Sequence, residues 1–174
     1  MANIGVRVGS RSEQGVRPNN EDRFVADLSN RVFLVADGMG GQERGEMASG
    51  MAADIIPRVL GHRLADHLDA SQAVQQAIAE ANAAIIDAGR SQPPGRRMGT
   101  TAVLAIHHAR TCYVAGVGDS RAYLIHGDSV EQLTVDHSVA QALVSSGALT
   151  AEEARTQAHV VVGKVIGKPI AAQQ

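Results

Sequence analysis

Four short polar clusters carry the residues that could do chemistry. The first is Arg17-Pro18-Asn19-Asn20-Glu21-Asp22. Two neighbouring carboxylates with an arginine a few residues earlier can bind a hard cation and an anion together, although acidic doublets in loops are often only solvated. The second, Asp37-Gly38-Met39-Gly40-Gly41, follows the apolar run Val32–Ala36. A carboxylate at the end of a buried strand is held rigidly enough to ligate a metal, and glycine lets a backbone carbonyl approach the same ion. Asp-Gly is also a common turn pair. The third cluster, Gly118-Asp119-Ser120-Arg121, is a good turn sequence in which Asp119 is a further candidate ligand. In the fourth, Leu133 to Ser138, Asp136 or Ser138 suits a helix cap better than His137 suits catalysis. The candidate ligands Glu21, Asp22, Asp37, the Gly38 carbonyl and Asp119 offer only oxygen, which selects magnesium or manganese over zinc. With an arginine nearby, such a set points to phosphate chemistry.

The surrounding pattern supplies the elements that must position these groups. Ile4, Val6 and Val8 alternate and predict a strand over 3–10. Residues 24–28 and 31–36 predict a hairpin around Ser29-Asn30. Its second strand is apolar on both faces, which predicts cover on both sides, and it stops at Asp37. The period then becomes helical: Met47, Met51, Ile55 and Val59 run beside Ala48, Ala52, Ile56 and Leu60, with Pro57 expected to kink or divide the helix. A second helix, capped by Asp69 or Ser71, carries Val74, Ile78, Ala81 and Ile85 to about Gly89. Residues 91–97 read as a loop. Strands are predicted at 100–107, 111–117, 121–126 and 129–133, then a helix from His137 to Gly147. A capping box, Thr150 to Glu153, opens another. One domain over 1–174 is expected.

Composition narrows the function classes. A net charge of −2 gives no basic surface for nucleic acid, and the four aromatics Phe24, Phe33, Tyr113 and Tyr123 are too few to stack bases. Cys112, the single cysteine, excludes an intrachain disulfide and a thiolate zinc site, and its strand context predicts a small buried hydrophobe. No signal-peptide pattern or bilayer-length apolar run is present, so a cytoplasmic chain without membrane partners is expected.

Taken in order, the clusters resemble the type 2C, or PPM, family of metal-dependent protein phosphatases. The matching stretches are Arg17 through Asp22 with Phe24, Val35 through Ser49, Met98 through Thr101, Val117 through Leu124 and Leu133 through Ser138. Leu149 through Ala154 and Lys164 through Gly167 extend the match. The resemblance implies an α+β fold, a four-layer α-β-β-α sandwich of two antiparallel sheets flanked by helices, with a metal centre of two Mn2+ or Mg2+ ions at one edge. Asp37 would bridge both ions and the Gly38 carbonyl would bind one. Glu21 and Asp22 would hold waters or support the centre, and Asp119 would help to bind a third, weaker ion. Arg17 would grip the substrate phosphate with its planar fork. A metal-activated water would attack phosphorus in line, without a phosphoenzyme. Met39 stands where eukaryotic relatives have a histidine, and it has no proton to donate to the leaving oxygen. Residues 136–157 match a flap beside the cleft.

Family members continue past the Lys164–Gly167 segment with two further metal-binding aspartates, so the sandwich is expected to be incomplete at the C-terminus. Little or no turnover is expected from this chain alone. Three readings follow. One is a Ser/Thr protein phosphatase acting on the phosphoprotein products of a Ser/Thr kinase in bacterial signalling. Another is a catalytically impaired regulatory or phosphoprotein-binding module. The third is a chain completed by a partner or by self-association.

Overall fold

The architecture grows from one hairpin. Strands β1 (Asp22–Asp27) and β2 (Val32–Met39) pair antiparallel, with Asp22 opposite Asp37 and Asp27 opposite Val32. Asp27 builds the turn between them. Its Oδ1 accepts the N–H groups of Ser29 and Asn30, each at 2.9 Å, and Asn30 Nδ2 donates to Oδ2 at 2.7 Å. These bonds, the Asn30 N–H foremost, hold the Asp27 carboxyl below the usual carboxylate range. The structure, a computed structural model, describes residues 5–16, 18–40, 43–90, 98–148, 150 and 152.

Strand β3 (Gly99–Thr100) pairs with the far end of β2, β4 (Ala102–His108) pairs with its near part, and β5 (Thr111–Val117) lies beyond β4. The sheet order is β1-β2-β4-β5, with β3 beside β2. Helices α1 (Glu43–Ala65) and α2 (Ala70–Arg90) cover one face. Asp69 caps α2, its Oδ1 accepting from Ser71 N at 2.9 Å and Gln72 N at 3.2 Å. The core lies between the layers. Val32, Leu34 and Ala36 of β2 and Leu104 and Ile106 of β4 meet Ala48, Ala52, Ile56 and Leu60 of α1 and Ala77, Ala81 and Ile85 of α2. The alanines let the layers approach closely, while each buried Leu or Ile stabilises by roughly 1.5–3 kcal/mol. A second antiparallel sheet consists of β6 (Tyr123–His126) and β7 (Ser129–Gln132). Helix α3 (Val139–Ser145) follows, capped by Ser138, whose Oγ accepts from Gln141 N at 3.1 Å. The class is α+β with two antiparallel sheets, as expected, and the described residues supply two strands of the second.

Several expectations need correction. Residues 5–10 form no strand; the alternation of Val6 and Val8 is not matched by a pairing partner among the described residues. Strand β2 does not stop at Asp37 but runs to Met39, because β3 pairs with Gly38 and Met39. Nor is it covered on both faces. Val35 is 48% exposed and its neighbour Phe24 43%, since the face opposite the helices carries no covering layer among the described residues. A cavity of about 400 Å³ opens there, lined by Phe24, Phe33, Val35, Val103 and Arg121 among others. Pro57 lies inside one continuous helix. Its cost of about 3 kcal/mol is outweighed by the burial of Ile56, Val59 and Leu60 around it. The stripe facing the sheet runs along Ala48, Ala52, Ile56 and Leu60, leaving Met47 exposed. Cys112 is exposed near the start of β5, an edge strand among the described residues. The loop at 91–97, most of the helix at 150–153 and the Lys164–Gly167 segment lie outside the described residues.

Candidate functional site

The register of the first hairpin brings the two central carboxylates together. Asp22 and Asp37 are direct cross-strand partners, so their side chains project from the same face with Cβ atoms about 4.5–5.5 Å apart. That face is the one opposite α1 and α2, because Leu34 and Ala36 alternate with Val35 and Asp37 and are the buried pair. Both aspartates are half-buried, at the end of the sheet where β1 begins. Asn20 shapes the entry: its Oδ1 accepts the N–H of Asp22 at 3.0 Å. Arg23 closes over the same turn, donating to Asp22 O at 2.9 Å and pairing with Glu46 of α1 at 2.5 Å.

Glu21 takes the other side. Its carbonyl accepts the Gly38 N–H at 3.1 Å and the Ser49 hydroxyl at 2.6 Å. Its carboxylate packs on the first turn of α1, where a Cβ added to Gly45 would lie 2.4 Å from Oε2. Gly38 meets the same turn, since a Cβ there would lie 2.0 Å from the Gly45 carbonyl oxygen. Two glycines thus let a strand end and a helix start touch backbone to backbone, with Glu21 against them. Glu21 adjoins the pair Asp22 and Asp37 but is directed toward α1, so the three carboxylates do not converge.

Asp37 is anchored by the Thr100-Thr101 step between β3 and β4. Thr101 N–H donates to Asp37 O at 2.9 Å, and Asp37 N–H donates to Thr101 Oγ1 at 3.0 Å. Thr100 Oγ1 also reaches Asp37 O at 2.9 Å. On its other side the Thr101 hydroxyl meets Ser120 Oγ at 2.6 Å, which ties the Asp119 turn to the end of β2. Gly118 has φ +106, and a Cβ there would collide with the Thr101 methyl at 2.6 Å; only glycine suits that position. His137 backs this turn: it accepts the Gly118 N–H at Nδ1 (3.3 Å) and donates its own N–H to Gly118 O (2.8 Å). Asp136 does not cap α3. It takes a two-pronged ion pair from Arg121 instead, Nε to Oδ1 at 2.9 Å and Nη2 to Oδ2 at 2.6 Å. Hydrogen bonding to Asp136 raises the Arg121 pKa further above its ordinary value.

Among the described residues no group of three or more His, Cys, Asp or Glu side chains gathers as a metal cluster. The donors that do meet, two carboxylates beside the Gly38 backbone, are all oxygen and fit a hard divalent cation. Arg17 lies outside the described residues. The acidic clusters were legible from their place at strand ends. Thr101, Ser120, Ser49 and Gly45, which hold them, were not read as such; small polar residues and glycines carry no spacing signal, and the family match over Val35–Ser49, Met98–Thr101 and Val117–Leu124 covers them without giving them a role.

Comparison with known proteins bears on the family and the fold. The family model described as protein phosphatase 2C matches residues 3–143. A serine/threonine phosphatase stp of Listeria innocua is 36% identical over 151 residues, covering 83% of this chain and 60% of that protein. The PPM Ser-Thr phosphatase MsPP of Mycobacterium smegmatis, solved with cacodylate, superposes with a TM-score of 0.76 at 31% identity, over 90% of this chain and 65% of that one. The catalytic domain of the phosphatase PstP, solved with two manganese ions, gives a TM-score of 0.73 at 32% identity, over 92% of this chain and 66% of that one. The chain therefore spans less than two thirds of the length of the Listeria relative.

Proposed function

Since the chain belongs to the protein phosphatase 2C family, we propose that it serves the metal-dependent hydrolysis of phosphoserine and phosphothreonine in cytoplasmic signalling proteins, opposing a Ser/Thr kinase. The observation that carries this reading is the cross-strand pair Asp22 and Asp37 at one sheet end, with Gly38 beside it. Asp22, Asp37 and the Gly38 carbonyl would hold Mn2+ or Mg2+, Glu21 would support them from the α1 side, and Asp119 would serve a further ion. Bound divalent cations supply Lewis acidity toward phosphoryl oxygens and toward water. The rest falls to the chain's own residues. The Arg17 guanidinium would take the phosphate oxygens in a two-pronged grip and offset the charge of the transferring group. The Thr100-Thr101 step keeps the Asp37 backbone from yielding, so the carboxylate meets its ligand already oriented. Met39 offers no proton, so the leaving serine or threonine oxygen takes one from water.

A second reading, a phosphoprotein-binding module of this fold with impaired catalysis, is favoured by the absence of a third converging carboxylate among the described residues. Turnover by the 174-residue chain alone is expected to be low on the same ground. Phosphate release from a phosphothreonine peptide, with Mn2+ and after chelation, separates the two. Release that is slow but Mn2+-dependent and lost in Asp37→Asn supports the first. Peptide retained without release supports the second, and neither binding nor release contradicts both.

A further inference from the structure

We infer that the Thr101 hydroxyl is a positioning group that locks the Asp37 carboxylate and the Asp119 turn into one rigid unit, through the hydrogen-bond chain Asp37 N–H to Thr101 Oγ1 to Ser120 Oγ. The inference rests on the proposed metal site and extends the Thr101 anchor of Asp37 across to Ser120 and the Asp119 turn. Thr101 is 1% exposed and falls at the break between the two-residue strand Gly99–Thr100 and the longer Ala102–His108. A break there is what allows one residue to use both main chain and side chain on the same partner. Its N–H satisfies the Asp37 carbonyl at 2.9 Å and its hydroxyl satisfies the Asp37 N–H at 3.0 Å.

The hydroxyl accepts from Asp37, so its own proton is available to Ser120 Oγ at 2.6 Å. A hydroxyl can accept and donate at once, and either hydroxyl can supply the proton of the Ser120 bond. Meanwhile its methyl abuts Gly118, on the other side of Asp119 from Ser120. Asp119 is thus held between two neighbours that both bear on Thr101, and Asp37 is held by Thr101 itself. Two carboxylates from segments 82 positions apart in sequence are referred to a single buried side chain. Because the link runs from the Asp37 backbone N–H to the Ser120 hydroxyl, a shift of the β2 end is passed to the turn that carries Asp119.

The test uses the full chain and follows Mn2+ uptake by loss of the free-ion electron paramagnetic resonance signal, with thermal unfolding measured in parallel. Thr101→Val keeps the shape but strands the Asp37 N–H and the Ser120 hydroxyl. Its Mn2+ affinity is expected to fall about tenfold. Thr101→Ser keeps the hydroxyl and is expected to remain within about threefold of the unaltered chain. If Thr101→Val lowers the unfolding temperature but binds Mn2+ as tightly as the unaltered chain, its role is structural only and the inference is overturned. Should Thr101→Val fail to fold, Ser120→Ala decides: a loss of affinity supports the link and unchanged affinity overturns it. An unaltered chain that takes up no Mn2+ at all overturns the metal-site reading and this inference with it.

Discussion

Asp27 shows how one carboxylate can set a hairpin without joining the chemistry at its other end. Its three bonds to Ser29 and Asn30 favour the ionised form, and its folded pKa lies below the ordinary value. A depressed folded pKa contributes stability above the unfolded value of about 3.9, and that contribution disappears as pH falls through the folded pKa. The difference in urea midpoint between the unaltered chain and Asp27→Ala is therefore expected to be full near pH 6 and to shrink steadily at pH values below about 4. A difference that stayed constant into acid would show that the turn depends on shape rather than charge. The Ser29-Asn30 turn was legible in the sequence, because Ser and Asn side by side between apolar runs have a local mechanism. The exposure of Cys112 was not: a strand sequence does not say which strand forms the edge.

Among the elements, the contact between the end of β2 and the start of α1 governs the site. Glycine-to-alanine changes inside helices ordinarily gain about 1 kcal/mol. At Gly45 the new methyl would meet Glu21 Oε2 at 2.4 Å and the Gly38 carbonyl carbon at 2.9 Å. Overpacking of that kind costs roughly 1–3 kcal/mol, so Gly45→Ala is expected to lower the unfolding midpoint and, through Glu21, to weaken Mn2+ uptake. A gain in stability would mean that the strand and helix are not pressed together. The β4–β5 connection is poised the opposite way. Ala109 (φ 46) and Arg110 (φ 70) are both left-handed between paired His108 and Thr111, in a turn that favours Asn-Gly. The double change Ala109→Asn, Arg110→Gly is expected to stabilise by about 1 kcal/mol or more, read as a higher unfolding temperature. Helix periods and most strand positions were legible here because each has a local pattern. The extension of β2 through Gly38 was not, because it depends on β3, about sixty residues later in the chain.

At the scale of the whole fold, one helical layer on one sheet accounts for the buried core among the described residues, and the second face of that sheet exposes Phe24 and Val35 around a cavity. The apolar run Val32–Ala36 read as a strand covered twice because its composition records what both faces tolerate; cover on the second face has to come from a distant segment, which no local pattern discloses. The site lies at the end of this same face, where register alone sets Asp22 beside Asp37. No helix among the described residues is long and apolar enough to cross a membrane. The most direct test of the account is calorimetric titration of the full chain with Mn2+, run beside Asp37→Asn and Asp22→Asn. The account predicts saturable binding by the unaltered chain that weakens at least about 100-fold in Asp37→Asn and measurably in Asp22→Asn. Equal binding by all three proteins, or none by the unaltered chain, would contradict it.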